Sequence, residues 1–267
     1  MVVVLAFVVA AGVGVAAAVQ RPPASAEVLV REELAADPVT IPSPTASATP
    51  SASPAVAPEP TRPEPVLSLP GPVPSAGRGS FGYDDRPGEV LGGAGVLRRF
   101  RVAVEDGSGE DVHAFGDAVQ KALAGPGSWV DGGKLRLQRV ASGSRYDFTI
   151  YLATANTAGR LCLSGGINIR VGGRPYTSCR VAGKVVINLD RWRRSVPHLV
   201  RAGLPLDTYR LYVINHEVGH QLGHHHERCP GAGRPAPVMQ QQTLFLDGCR
   251  PNPWPYLGGK RYTGPSV

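Results

Sequence analysis

The sequence predicts an α/β (α+β) domain with a twisted, mostly parallel sheet and two main helices. Three observations predict this fold. Segments with strand character recur from about residue 96 onwards, a stretch after the first strand has apolar residues at helical spacing, and a longer stretch of that kind follows the last strand. Because strands and helices follow one another in this order, the strands are expected to run mostly parallel, with the helices packed against them.

The first strand is expected over residues 96–104, where large apolar side chains alternate with other residues. The first helix should begin with an N-cap at Ser108, continue through the apolar repeat of residues 112–123 and end at Gly125. A second helix is predicted from an N-cap at Asp207. Four further strands are expected between the helices, over residues 135–140, 147–152, 167–171 and 185–189.

The part before the domain has the composition of an export segment and a linker. Residues 1–20 include an apolar run of about the 18 to 20 residues that cross a bilayer, and we interpret them as a signal peptide or membrane anchor. Residues 21–80 are rich in Pro, Ala and Ser, as in a disordered linker. The domain is therefore expected over residues 81–267, outside the cytoplasm, secreted or membrane-anchored.

The expected domain is basic. The chain has a formal net charge of +7, and its first 80 residues contain four basic and six acidic side chains. A basic exported domain could bind anionic wall polymers or nucleic acid. Trp192, which lies among Arg191, Arg193 and Arg194, is the local indication of nucleic-acid binding, but a solvated surface turn is the favoured interpretation. Nucleic acid is therefore not the expected partner.

Four cysteines occur in the C-terminal part of the chain: Cys162, Cys179, Cys229 and Cys249. An even number in an exported chain indicates disulfides formed in an oxidising compartment. Three pairings are possible, and the sequential one is favoured because each bridge then closes a short loop. A Cys-only zinc site is disfavoured, because the sequence has no C-x-x-C pair.

A cluster of histidines in the second helix and just after it predicts a metal site. His216 and His220 are four residues apart and so lie on one helix face. Gly223 can adopt the left-handed conformation that ends the helix and allows His226 to return to the same ion. The neighbouring histidines, His224 and His225, are alternatives for the third ligand but are interpreted as exposed loop residues.

Three imidazole ligands leave one coordination position open, which is typical of catalytic rather than structural zinc sites. Glu217 follows the first ligand directly, so its carboxylate can reach a water molecule without binding the metal itself. We predict that Glu217 is the general base, which takes a proton from water during attack on a carbonyl and passes it to the leaving amine.

The pattern H-E-x-x-H-x-x-G-x-x-H, from His216 to His226, resembles the metzincin family of zinc endopeptidases. Metzincins also have a methionine in a tight turn beneath the metal, and Met239 matches it. Glu227 resembles the astacin branch, but Gln241 stands where that branch has a tyrosine, so a tyrosine ligand is not expected. With these departures, the sequence is similar to exported bacterial metzincin-like domains.

The resemblance implies a metzincin-like zincin fold with an irregular C-terminal subdomain, Zn²⁺ as cofactor, and endopeptidase activity on a protein or peptide substrate. In metzincins the substrate strand pairs with a sheet edge above the metal, and residues 167–171 are the expected edge. One alternative is a zinc hydrolase that acts on wall peptides or another amide. Another is a non-catalytic basic module that binds cell wall or nucleic acid and has a structural metal. A monomer is expected, and association with the cell wall or membrane is left open.

Overall fold

The computed structural model describes residues 64–267, which belong to one compact unit. The predicted signal or anchor at residues 1–20 lies outside the described residues, as does most of the predicted linker. Within residues 64–267, no helix has both the length and the apolar character needed to cross a membrane.

The described part contains a seven-stranded sheet and two small hairpins. The sheet consists of β1 (Phe81–Tyr83), β2 (Val90–Leu91), β3 (Val96–Glu105), β4 (Leu135–Arg139), β5 (Phe148–Ala153), β8 (Cys179–Val181) and β9 (Lys184–Asn188). The hairpins are β6 (Arg170–Val171) with β7 (Arg174–Pro175), and β10 (Tyr256–Leu257) with β11 (Lys260–Arg261).

The sheet has the order β2-β4-β3-β5-β9-β8, with β1 paired to β3. The four central strands pair in parallel, whereas β1, β2 and β8 are antiparallel to their neighbours. Central strands such as β5 are buried along nearly their whole length, as expected for a sheet with elements packed on it. The prediction of a mixed α/β domain with a mostly parallel sheet is confirmed.

Five α-helices of the described chain accompany the sheet: α1 (Val112–Ala124), α2 (Ala155–Ser164), α3 (Leu189–Arg194), α4 (Pro197–Arg201) and α5 (Leu206–Gln221), with a 3-10 helix at Trp129–Gly132. The long helices α1 and α5 are the two predicted ones, and their apolar faces enter one core with the sheet.

Both predicted N-caps are wrong. Asp111 caps α1 by accepting from Ala114 N at 2.7 Å, and Asp207 lies in the first turn of α5, where its negative charge suits the helix dipole.

The predicted strand at residues 167–171 is limited to β6 at residues 170–171, and its prediction as an edge of the main sheet is wrong. Gly172 and Gly173 have φ of 57° and 79°, and they form a tight turn that folds β6 back onto β7. The hairpin is therefore separate from the main sheet. The edge of the sheet beside β9 is β8, which follows this hairpin in the chain.

Trp192 does not lie in a solvated turn. It is buried in α3, and its ring packs edge-on against Phe115 with ring centroids 4.9 Å apart. Residues ahead of the expected domain also pack on it, since Leu69 N donates to Arg193 O at 2.7 Å. The folded unit thus includes part of the segment that sequence composition assigned to the linker.

Candidate metal centre

Helix α5 brings His216 and His220 to one face, with ring centroids 4.8 Å apart. The helix ends at Gln221, and Gly223 adopts a φ of 95°, in the left-handed region that favours glycine. The chain then turns back, and the Nε2 atoms of His220 and His226 lie 3.1 Å apart. One nitrogen from each of His216, His220 and His226 falls within 4.8 Å of the others.

Two backbone carbonyls fix the orientation of the helical histidines. Nδ1 of His216 lies 2.8 Å from the Val238 oxygen, and Nδ1 of His220 lies 2.8 Å from the His224 oxygen. A carbonyl only accepts, so each Nδ1 carries the proton and each Nε2 keeps its lone pair for another partner. Hydrogen bonds of this kind orient histidine ligands in metalloproteins.

The spacing of His220 and His226 fits two ligands of a tetrahedral metal ion. Nitrogens bound to zinc at about 2.0 to 2.1 Å in tetrahedral geometry are separated by about 3.3 Å, close to the distance between His220 and His226. Burial holds the pKa of His216 well below its usual value and lowers that of His226 to about 4, so both rings are neutral at pH 7 and available as ligands.

Met239 lies in a tight turn beneath the three histidines. Gln240 N donates to Pro237 O at 2.9 Å, which closes the turn, and Met239 at its tip is fully buried against Gly219 of α5. The same turn supplies the Val238 carbonyl that orients His216. The turn therefore supports the centre by packing and by hydrogen bonding.

Glu217 borders an open cavity of about 390 Å³ together with the three histidines. The side chain is almost fully buried, and this burial raises the pKa of Glu217 to about 8. A cation held by the histidines would lower the pKa again, because it favours the carboxylate. The Glu217 carboxyl can therefore both take up and release a proton at the cavity wall.

Residues 167–169, part of the expected substrate edge, also line the cavity, and its other walls include residues that the sequence did not associate with the site. Edge strand β8 contributes Arg180, the segment after Met239 contributes Gln241 and Thr243, and α5 contributes Tyr212. Tyr212 donates from its hydroxyl to Gln240 O at 3.0 Å. It precedes the first histidine by one helical repeat, and this spacing could have revealed its place on the same face.

His225 is exposed, as predicted, but His224 is not a free loop residue. Its ring stacks on Trp129, with centroids 4.4 Å apart and an interplanar angle of 18°. Glu227 is turned to other partners, accepting from Arg261 Nη2 at 3.0 Å and from Gly264 N. Neither His224 nor His225 belongs to the three-histidine cluster.

The predicted sequential disulfides are confirmed. Cys162–Cys179 joins α2 to β8 at the cavity wall, and Cys229–Cys249 closes a loop that contains Met239. Disulfides of this kind are typical of proteins that fold in an oxidising compartment, which supports a location outside the cytoplasm.

A second group, Asp84, Asp85 and His113, is also close enough to hold a metal. Asp84, however, is fully buried and accepts from Arg86 and Arg139 at 3.0 and 2.9 Å. These cations already neutralise the carboxylate, so this cluster stabilises the fold and does not form a metal site.

Residues 69–257 match the sequence profile of a family described as "Protein of unknown function (DUF3152)". The chain belongs to the DUF3152 family. The DUF3152 match covers more than half of the chain and includes the histidine cluster, Glu217, Met239 and both disulfides. No curated protein and no solved structure matches the chain.

Proposed function

We propose that this chain is an exported zinc-dependent endopeptidase of the metzincin type. The observation that carries the proposal is the convergence of three histidine nitrogens beside the Glu217 carboxylate at the wall of an open cavity. The glycine turn at residue 223 and the methionine turn at residue 239 agree with the metzincin resemblance.

The ligand number favours catalysis over a structural metal. Structural zinc sites are closed by four protein ligands, whereas catalytic sites have three and an open position. The cluster among the described residues offers three imidazoles and faces a cavity of about 390 Å³. A module with a structural metal would need neither this cavity nor a buried carboxylate beside it.

His216, His220 and His226 would hold the ion, and zinc bound there would supply a Lewis acid and lower the pKa of water. Glu217 stands one residue past the first ligand and is buried at the cavity wall. Its carboxylate takes the proton of the attacking water and then passes that proton to the leaving amine. The carbonyls of Val238 and His224 hold two of the imidazoles in place during these transfers.

A peptide fits the surroundings of the centre as substrate. Strand β8 has β9 on one side only, so its other edge can pair with an extended peptide by backbone hydrogen bonds. Residues from β8 and from the segment after Met239 both line the cavity, so a side chain of that peptide can enter between them. This edge replaces residues 167–171 as the proposed substrate-binding strand.

The test is digestion of a denatured protein by the purified full-length chain, with and without a chelator. We expect cleavage that stops with chelator, returns with zinc and is abolished by Glu217→Gln. Glu89→Gln is the matched control, because Glu89 is exposed and does not line the cavity. Salt-sensitive retention on an anionic polymer that chelator leaves intact, with no cleavage of any substrate, would favour the binding module instead.

A further inference from the structure

A second cavity, of about 350 Å³, lies between α3, α4 and the segment that precedes β1. It is separate from the histidine centre, and the proposed peptidase mechanism does not use it. Its walls combine positive charge with apolar surface and consist of Ser68, Leu69, Tyr176, Arg191, Arg194, Ser195, Pro197 and Val200.

Arg191 borders this cavity with an unusual lack of partners. The residue is only 8% exposed, yet its Nε and Nη1 atoms find no acceptor among residues 64–267. Its guanidinium lies over the Tyr176 ring, 4.2 Å from the centroid. This cation–π contact holds the guanidinium in place, but the ring does not accept hydrogen bonds from the N–H groups in the guanidinium plane. Buried charges are normally paired, so a buried guanidinium without an acid partner favours the binding of an anion.

Ser195 presents a second unsatisfied donor at the same cavity. It is 1% exposed, and its Oγ has no hydrogen-bond partner in the described chain. Its backbone has a φ of 55° and a ψ of −144°, a conformation that residues other than glycine rarely adopt. Strained backbone of this kind is concentrated at binding sites, where the surrounding structure maintains it.

Arg194 adds a second guanidinium, whose polar contact is a long one of 3.4 Å from Nη2 to Gly71 O. The intervening Arg193 behaves differently, because its Nη1 forms an ion pair with Glu110 at 2.6 Å. Arg193, which does not line the cavity, thus has an acidic partner, whereas Arg191 and Arg194, which do, form no ion pair within residues 64–267.

We propose that this cavity binds an oxyanion, held by the guanidinium groups of Arg191 and Arg194 and by the Ser195 hydroxyl. The ligand class is a carboxylate, sulfate or phosphate group, because planar guanidinium donors match such oxygens. The apolar walls at Leu69 and Val200 leave room for a small organic body attached to the anion.

Calorimetric titration of the full-length protein at constant ionic strength tests the site, with sodium phosphate, sodium sulfate and sodium succinate as probes. We expect saturable binding of at least one probe, and its identity tells tetrahedral anions from carboxylates. Arg191→Gln should weaken this binding at least tenfold. Ser195→Gly should also weaken it while raising the melting temperature without anion, because the hydroxyl and the strain are removed together.

Arg201→Gln is the charge-matched control, since Arg201 lies in α4 but does not line the cavity, and it should bind the probe as the wild type does. If no probe binds saturably, or if Ser195→Gly and Arg191→Gln both fold and bind like Arg201→Gln, the site does not exist. These measurements are independent of zinc and of peptide cleavage.

Discussion

The sulfur of Met239 packs so closely against Gly219 of α5 that a Cβ at residue 219 would lie 2.5 Å from it. The same Cβ would lie 2.6 Å from the Trp129 ring. The absence of a side chain at residue 219 is what allows the methionine turn to approach the helix between the two helical histidines.

We therefore expect Gly219→Ala to destabilise the protein by about 1–3 kcal/mol, although alanine favours helix formation. The methionine turn must move away, and with it the Val238 carbonyl that orients His216, so zinc retention should fall as well. Thermal unfolding and metal content after dialysis measure both effects. Gly143→Ala is the control, because its added methyl group meets no atom within 4 Å, and an equal loss in the two variants would contradict the packing argument.

A second prediction distinguishes the histidines that follow Gly223. His226→Ala should release zinc, because only this residue of the three reaches the other ligands. His225→Ala should retain it. His224→Ala should also retain zinc but lose about 0.5–1.5 kcal/mol of stability, since the stacking on Trp129 disappears while the backbone carbonyl that holds His220 remains. Zinc loss in His224→Ala with His226→Ala unaffected would overturn the assignment.

The third prediction concerns metal removal. Chelation should lower the melting temperature, because a ligand that binds only the folded state stabilises it by about 2.7 kcal/mol at a concentration of 100 times Kd. Re-addition of zinc should restore the original value in the wild type. It should have no effect on His216→Ala, and differential scanning calorimetry at matched protein concentration makes the comparison.

The two disulfides should differ in their effects. Cross-linking a loop of this size contributes about 3 kcal/mol in the chain-entropy view. Cys229→Ser with Cys249→Ser should lower stability and also weaken zinc retention, because that bridge closes the segment from near His226 through Met239. Cys162→Ser with Cys179→Ser should loosen β8 and raise KM for peptides with zinc content unchanged. Equal zinc loss in both double variants would show that the bridges act only on global stability.

The proposed metal site was accessible from sequence because its geometry is local. Helical spacing places His216 and His220 together, and Gly223, three residues before His226, meets a backbone requirement of the turn that the sequence displays directly. The sequential disulfides were equally accessible, since short loops favour them. The start of α1 was misassigned because Ser108 and Asp111 are both good caps, and only the hydrogen bond to Ala114 decides between them. The start of α5 was misassigned because Asp207 suits a cap as well as the first turn, where the structure places it.

The rest depends on contacts between distant segments. The sheet edge was placed at residues 167–171 because β-formers there resemble a strand, although Gly172 and Gly173 redirect them into a hairpin. The burial of Trp192 against Phe115 joins residues far apart in sequence, so its neighbouring arginines suggested a solvated surface. The anion cavity requires three elements to meet, and local periodicity contains no trace of it.

The bridge between Cys229 and Cys249 also determines when the chain can reach its final structure. While thiols are kept reduced, the loop beneath the histidines is held by weaker contacts alone, and the protein has not yet reached its final form. The bridge forms when the chain enters an oxidising compartment. Under the proposed peptidase function, the complete centre would form only in that compartment, away from cytoplasmic polypeptides.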